Sequence, residues 1–203
     1  MFKAIIFDFG GVILKHKTTI IEDILLQMFP DLYDSAEKIW EEYSPLLNKG
    51  DKTSDDFIHA LKRNINTEFS VEELKHKWKE FYKKEANNID WGLLDFVEKL
   101  KKRYKVYLFT DTIDIHDEYN KTRNIYEKFH KVYKSFEEGV AKIEGKDAYL
   151  YILKKIKAEP NECIFIDDNE QNIKYAESVG MIGILYKNLP QLQRELKLQN
   201  IVV

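Results

Sequence analysis

Three short apolar runs constrain this chain more than any other feature. Ala4-Ile5-Ile6-Phe7, Val106-Tyr107-Leu108-Phe109 and Cys163-Ile164-Phe165-Ile166 are rich in β-branched and aromatic residues and carry no polar alternation. A strand can be apolar throughout only where both of its faces are covered, as in a parallel sheet packed between helices. Each run stops on polar residues: Asp8 ahead of Gly10-Gly11, Thr110-Asp111, and Asp167-Asp168-Asn169. Lys131-Val132-Tyr133 and Ile182 to Tyr186 read as further strands, and Ile201 to Val203 as a last one. Helical spacing fills the intervals: Leu93, Leu94, Phe96, Val97 and Leu100, then Lys146 to Lys157, then Ile173, Ala176 and Val179 stopped by Gly180. Strands alternating with helices predict an α/β fold with a doubly wound parallel sheet.

Residues 18–90 break that rhythm. Ile20, Ile21, Ile24, Leu25 and Met28 recur at helical spacing until Pro30, and Ala36, Ile39, Trp40, Tyr43 and Leu47 repeat the pattern. Thr53 or Ser54 caps a third helix, and Ser70 with Glu73 forms a capping box ahead of Leu74, Trp78 and Tyr82. No strand pattern occurs here. The expectation is an α/β core from residues 1–15 and 91–203, with an all-helical subdomain inserted over residues 16–90.

Composition narrows the function. Hydrophobic residues make up 44% of the 203, enough for a packed core without cross-links. A balance of 32 basic against 35 acidic residues leaves no broad positive surface, which argues against nucleic acid as a partner. No run reaches the roughly 18 apolar residues that cross a bilayer, so no membrane partner is expected. The apolar N-terminus is interrupted by Asp8 too early to be a secretion signal. Cys163 is the only cysteine, which excludes an intramolecular disulfide and fits a cytoplasmic protein.

Ligands of open α/β sheets bind beyond the carboxyl ends of the strands. That edge would collect Asp8, Thr110, Asp111, Asp167 and Asp168, with Lys142 on the loop Gly139-Val140-Ala141-Lys142. Carboxylates from two strand ends make a hard oxygen site for Mg²⁺, and a hydroxyl with a lysine suits phosphate oxygens. An aspartate nucleophile would divide phosphoester hydrolysis into two easier displacements. Taken singly, each residue has a plainer reading. Asp8 serves equally well as a turn or helix cap, Gly10-Gly11 as a tight turn, Thr110 as a strand-end hydroxyl and Lys142 as a solvated lysine. The order and spacing of the whole set is what carries information.

Phe7-Asp8-Phe9-Gly10-Gly11-Val12, Leu108-Phe109-Thr110, Gly139-Val140-Ala141-Lys142 and Ile166-Asp167-Asp168-Asn169 resemble the haloacid dehalogenase superfamily, over almost the whole chain. The branch is the one with a helical cap after the first strand, and Gly50 followed by Thr53, Ser54 and Phe57 resembles a recurring segment of that cap. The resemblance implies that Asp8 is the nucleophile and a Mg²⁺ ligand. It further implies that Thr110 and Asp111 bind the substrate phosphate, that Lys142 holds Asp8 and the phosphate, and that Asp168, Asp167 and the Gly10 carbonyl complete the metal site. The implied activity is Mg²⁺-dependent hydrolysis of a small phosphorylated metabolite. Two positions depart from the family. Most of its phosphatases carry a second aspartate where this chain has Gly10, and proline where it has Ile143. The first removes the usual general acid, for which His16, Asp111, Asp114 and His116 are candidate substitutes. The second frees the loop and makes Lys146 a rival for Lys142.

Two other readings use the same residues. A 2-haloacid dehalogenase would want an arginine early in the cap, yet none precedes Arg63, and the acidic pair speaks for a metal. A non-catalytic binding protein would explain Gly10 but not the retention of every other motif residue. A kinase reading of Asp8-Phe9-Gly10 fails because no glycine-rich or catalytic loop precedes it.

Overall fold

The computed structural model describes residues 2–16 and 20–202. In chain order the elements are β1 (Ala4–Phe7), α1 (Ile20–Met28), α2 (Tyr33–Lys49), α3 (Ser54–Asn64), α4 (Val71–Glu85), α5 (Trp91–Lys101), β2 (Lys105–Thr110), α6 (Asp114–Lys121), β3 (Lys131–Lys134), α7 (Ser135–Glu138), α8 (Lys146–Ile156), β4 (Cys163–Asp167), α9 (Glu170–Ser178), β5 (Ile182–Leu185) and α10 (Leu189–Leu198). The strands form one parallel sheet in the order β3-β2-β1-β4-β5. This is the α/β architecture that the continuous apolar runs require. β1 is central and buries all of its residues, because both faces are covered. Ile5 and Phe7 join Val106, Leu108, Ile164 and Ile166 in a core completed by α5, α10 and the inserted helices. Ala4 and Ile6 join Phe109, Cys163 and Phe165 in a second core under α8 and α9.

Strand order fixes where chemistry can occur. The chain runs from β1 outward through β2 and β3, then returns to β4 on the other side of β1. Phe7 is level with both Leu108 and Ile166, so Asp8, Thr110 and Asp167 emerge side by side at the reversal of strand order.

Helices α1 to α4 leave and rejoin the sheet at adjacent points. Lys15 N–H donates to the Asn88 carbonyl at 2.8 Å and Asp90 N–H to that of Ile13 at 2.9 Å. Thr53 with Asp56, and Ser70 with Glu73, form capping boxes at the starts of α3 and α4. Helix α2 ends at Gly50 with φ +73°, where a Cβ would also overlap the Phe136 carbonyl. That backbone approach brings α2 onto α7, on the loop side of β3.

The C-terminus departs from expectation. Ile201 and Val202 form no strand, and Val203 lies outside the described residues. The segment instead closes α10, a helix that the apolar pattern did not announce. Ile201 N–H, the group a ladder would need, donates to the Leu196 carbonyl at 2.9 Å. Asn188 caps α10 and Pro190 sits in its first turn, leaving Leu192 and Leu196 to bury the inner face.

Candidate active site

Asp8 is nearly buried, at 7% exposure, at the end of the central strand. Its Oδ1 lies 2.6 Å from Lys142 Nζ, and the Phe9 N–H also donates to its carboxylate. Lys142 Nζ reaches Asp167 Oδ2 at 2.9 Å, so one buried ammonium spans two carboxylates. Burial opposes the lysine charge, yet Asp167, Asp8 and Asp111 together hold its pKa well above the ordinary value. Burial pushes Asp8 up to about 8, with Lys142 pulling down and Asp167 pushing up. Asp167 is fully buried and both of its oxygens are engaged: Oδ2 also accepts from Asn172 Nδ2 at 3.0 Å, and Oδ1 from the Asn169 N–H at 2.9 Å.

Asp168 is exposed, and its carboxylate lies where a Cβ on Gly11 would fall. Gly11 has φ +69°, so both the turn and the carboxylate's place require glycine. Carboxylate oxygens of Asp8, Asp167 and Asp168 lie within 4.8 Å of one another. An all-oxygen, acidic donor set of this kind suits a hard cation such as Mg²⁺. Thr110 is 2% exposed on the neighbouring strand end, its hydroxyl only 3.3 Å from the Asp111 carbonyl and so weakly engaged.

Residues 2–180 match the family described as haloacid dehalogenase-like hydrolase. The chain belongs to that family. Among curated relatives, D-ribitol-5-phosphate phosphatase from Bacteroides thetaiotaomicron is 27% identical over 97% of both chains. A sesquiterpene phosphatase from Aspergillus oryzae is 26% identical over 90% of this chain and 89% of its own. A solved haloacid dehalogenase family enzyme from B. thetaiotaomicron, in complex with magnesium and inorganic phosphate, superposes with a TM-score of 0.77 at 23% identity. It covers 92% of this chain and 95% of that one, and at this identity the likeness establishes fold alone. No helix among the described residues is long and apolar enough to cross a membrane.

In this haloacid dehalogenase-like hydrolase the rival lysines separate cleanly. Lys146 is exposed at the start of α8, whereas Lys142 is 3% exposed and touches both carboxylates. Asp111 accepts from the Lys142 backbone N–H at 2.9 and 3.1 Å, so its carboxylate holds the Lys142 loop in place. Beside Gly10 and Thr110 opens a cavity of about 200 Å³, which His16, Tyr82, Asp111, Thr112 and His116 also line. The candidate acids occupy different environments. Asp114 is bound by the Ser54 hydroxyl and N–H and by the Ile115 N–H. His116 is buried, and burial pushes its pKa down to about 3. His16 is exposed, and its Nε2 lies 3.5 Å from where a Gly10 side chain would begin.

Sequence reasoning missed two contributors. Asn172, on the first turn of α9, holds Asp167, and a polar residue on that turn facing a strand-end carboxylate was its only signal. Tyr82 reads as a core position by spacing but lines the cavity, because α4 packs across α6 there.

Proposed function

We propose that this hydrolase is a Mg²⁺-assisted phosphatase of a small phosphorylated metabolite, with Asp8 as nucleophile. The observation that carries the reading is Lys142 Nζ seated between Asp8 and Asp167 within the three-carboxylate cluster. A buried ammonium there keeps Asp8 oriented and offsets the charge of an arriving phosphate. The phosphatase names of two relatives that span most of their length support the same class.

Asp8, Asp168 and the Gly10 carbonyl would hold the cation directly, and Asp167, whose oxygens are already engaged, would act mainly by fixing Lys142. The bound cation would supply charge neutralisation between carboxylate and phosphate. A free Asp8 oxygen attacks phosphorus and the bond to the substrate oxygen breaks, leaving a phosphoryl group on Asp8. Water then attacks that phosphorus, frees inorganic phosphate and restores the carboxylate. Thr110 and Lys142 position the phosphoryl oxygens, with Asp111 keeping Lys142 in register. His16, beside Gly10, is placed to protonate the leaving oxygen. Residues 16–90 would act as a cap over this edge, closing it to bulk water.

The test is phosphate release from sugar phosphates, polyol phosphates and p-nitrophenyl phosphate, with Mg²⁺, with chelator and with Asp8→Asn. Turnover that needs the metal and vanishes in Asp8→Asn is the expected result. Full activity in Asp8→Asn would overturn the assignment of the nucleophile. Absence of turnover on every ester, from folded protein that binds Mg²⁺, would favour a binding role instead.

A further inference from the structure

His116 sits on α6 against the same cavity, and its ring is held on two sides. Tyr82 stacks on it with centroids 3.9 Å apart and planes 4° apart. The plane of Trp78 is nearly parallel to it, at 13°, and the indole Nε1–H donates to His116 Nε2 at 2.9 Å.

An indole nitrogen only donates, so the nitrogen it faces must accept. Nε2 is therefore unprotonated, and in a neutral ring the hydrogen must reside on Nδ1. Burial favours the neutral ring. Nδ1 has no hydrogen-bond partner among the described residues, nor is it among their sealed, unpartnered polar atoms. His116 is also one of the residues that line the cavity beside Thr110 and Gly10.

We propose that His116 Nδ1–H is a fixed, uncharged hydrogen-bond donor that selects substrates carrying an oxygen acceptor on the alcohol half of the phosphate ester. Trp78, which sets the tautomer from α4, is a positioning residue. This rests on the phosphatase reading for its substrate class, while the tautomer stands without it. A neutral donor rewards a hydroxyl or ether oxygen and gives no charge–charge attraction to a second anionic group. The small cavity and its apolar members Phe9, Leu14, Ile20 and Ile21 fit a short hydroxylated chain.

The first experiment reads long-range proton–nitrogen correlations of the histidine rings in ¹⁵N-labelled protein. His116 is expected as the Nδ1–H tautomer, unchanged between pH 5 and 8, and in Trp78→Phe it becomes a tautomer mixture. An Nε2–H ring, or titration within that range in the intact protein, overturns the proposal. The second adds D-ribitol 5-phosphate to Mg²⁺-loaded Asp8→Asn protein. A shift of the His116 Nδ1 signal is expected, and its absence overturns the proposal even if no ester is turned over.

The third compares His116→Phe with the parent on D-ribitol 5-phosphate and on phenyl phosphate. KM for the polyol ester should rise about tenfold to a hundredfold with kcat little changed, because an acceptor left without its donor in a closed site costs that order of affinity. The phenyl ester, which offers no such oxygen, should lose less than the polyol ester. Equal losses on both esters, or none, overturn the assignment. Trp78→Phe, which keeps the His116 ring, gives the same split in weaker form if His116→Phe does not fold.

Discussion

Mg²⁺ binding should be strongly pH-dependent below pH 8, because a proton occupies the first ligand. Burial raises Asp8 to about 8 in the metal-free protein, even with Lys142 at 2.6 Å. A carboxylate ligand must be deprotonated to bind, so apparent affinity scales with the ionised fraction of Asp8. For a single group of that pKa, the ionised fraction falls about 50-fold between pH 8 and pH 6, and at pH 7 about 0.9 proton is released per ion bound. Asp168 is raised as well, by partial burial and by Asp167. Isothermal titration calorimetry at pH 6, 7 and 8, in buffers of different ionisation enthalpy, reads affinity and proton release together. Asp8→Asn should flatten the dependence. An affinity constant within about threefold across that range, without proton release, would refute the argument that the cation displaces a proton from Asp8. The same shift fixes the sign for stability. The unfolded Asp8 ionises near 3.8 and the folded one near 8, so between these values the native state holds the extra proton. Metal-free stability therefore falls as pH rises through the window, by up to about 1.4 kcal/mol per unit from this group, and Mg²⁺ reverses the trend.

Three further substitutions test other parts of the structure. Gly10→Asp should fit, since its Cβ would meet only His16 Nε2, at 3.5 Å. Restoring a carboxylic acid there should raise kcat by about tenfold or more on alkyl phosphates and hardly at all on p-nitrophenyl phosphate, whose leaving group needs no proton. Gly50→Ala should lower thermal stability by at least about 1 kcal/mol, because φ is +73° and the added methyl meets the Phe136 carbonyl. A melting temperature equal to that of the parent would sink that reading. Tyr149→Phe should be neutral or stabilising by about 1 kcal/mol, because the Tyr149 hydroxyl is buried without a partner among the described residues, on a ring packed against Phe109 and Phe165. A denaturation midpoint well below the parent's would show that the hydroxyl is used.

The sheet and the grouping of residues along its edge were legible because they rest on short-range signals. Continuous apolar runs specify strands buried on both faces, and residues that end such runs must emerge at one edge, so Asp8, Thr110 and Asp167 could be grouped without coordinates. Helices α3 and α4 were legible from the capping boxes at Thr53 and Ser70. Contacts that depend on how one layer meets another were not. Trp78 and Tyr82 have the spacing of core residues, and only the crossing of α4 over α6 turns them toward His116. Asn172 and α10 escaped for a related reason: the first matters only through Asp167, and the second buries two leucines one turn apart, too few for a period.

Ile143 shows how a residue that departs from the family's pattern is absorbed. Proline there would restrict the backbone next to Lys142, whereas Ile143 is 74% exposed. The restraint comes from both flanks instead. Asp111 accepts from the Lys142 N–H, and Glu144 accepts from the Ala141 N–H at 3.1 Å. Glu144 is itself paired with Lys49 at 2.8 Å, one residue before the Gly50 turn that seats α2 on Phe136. The pair is about one-third exposed on each side, so its direct contribution is small. Its position matters more than its energy, because it joins the end of an inserted helix to the loop that carries Lys142. Movement of α2 away from α7 would break the Lys49 contact and leave the Lys142 loop held by Asp111 and the Glu144 cap alone. Lys49→Ala should therefore loosen hydrogen-exchange protection at the Ala141 and Gly145 amides, which close that turn, while leaving β1 and β4 unchanged. Unchanged protection at both amides would show that the inserted helices do not steady the loop.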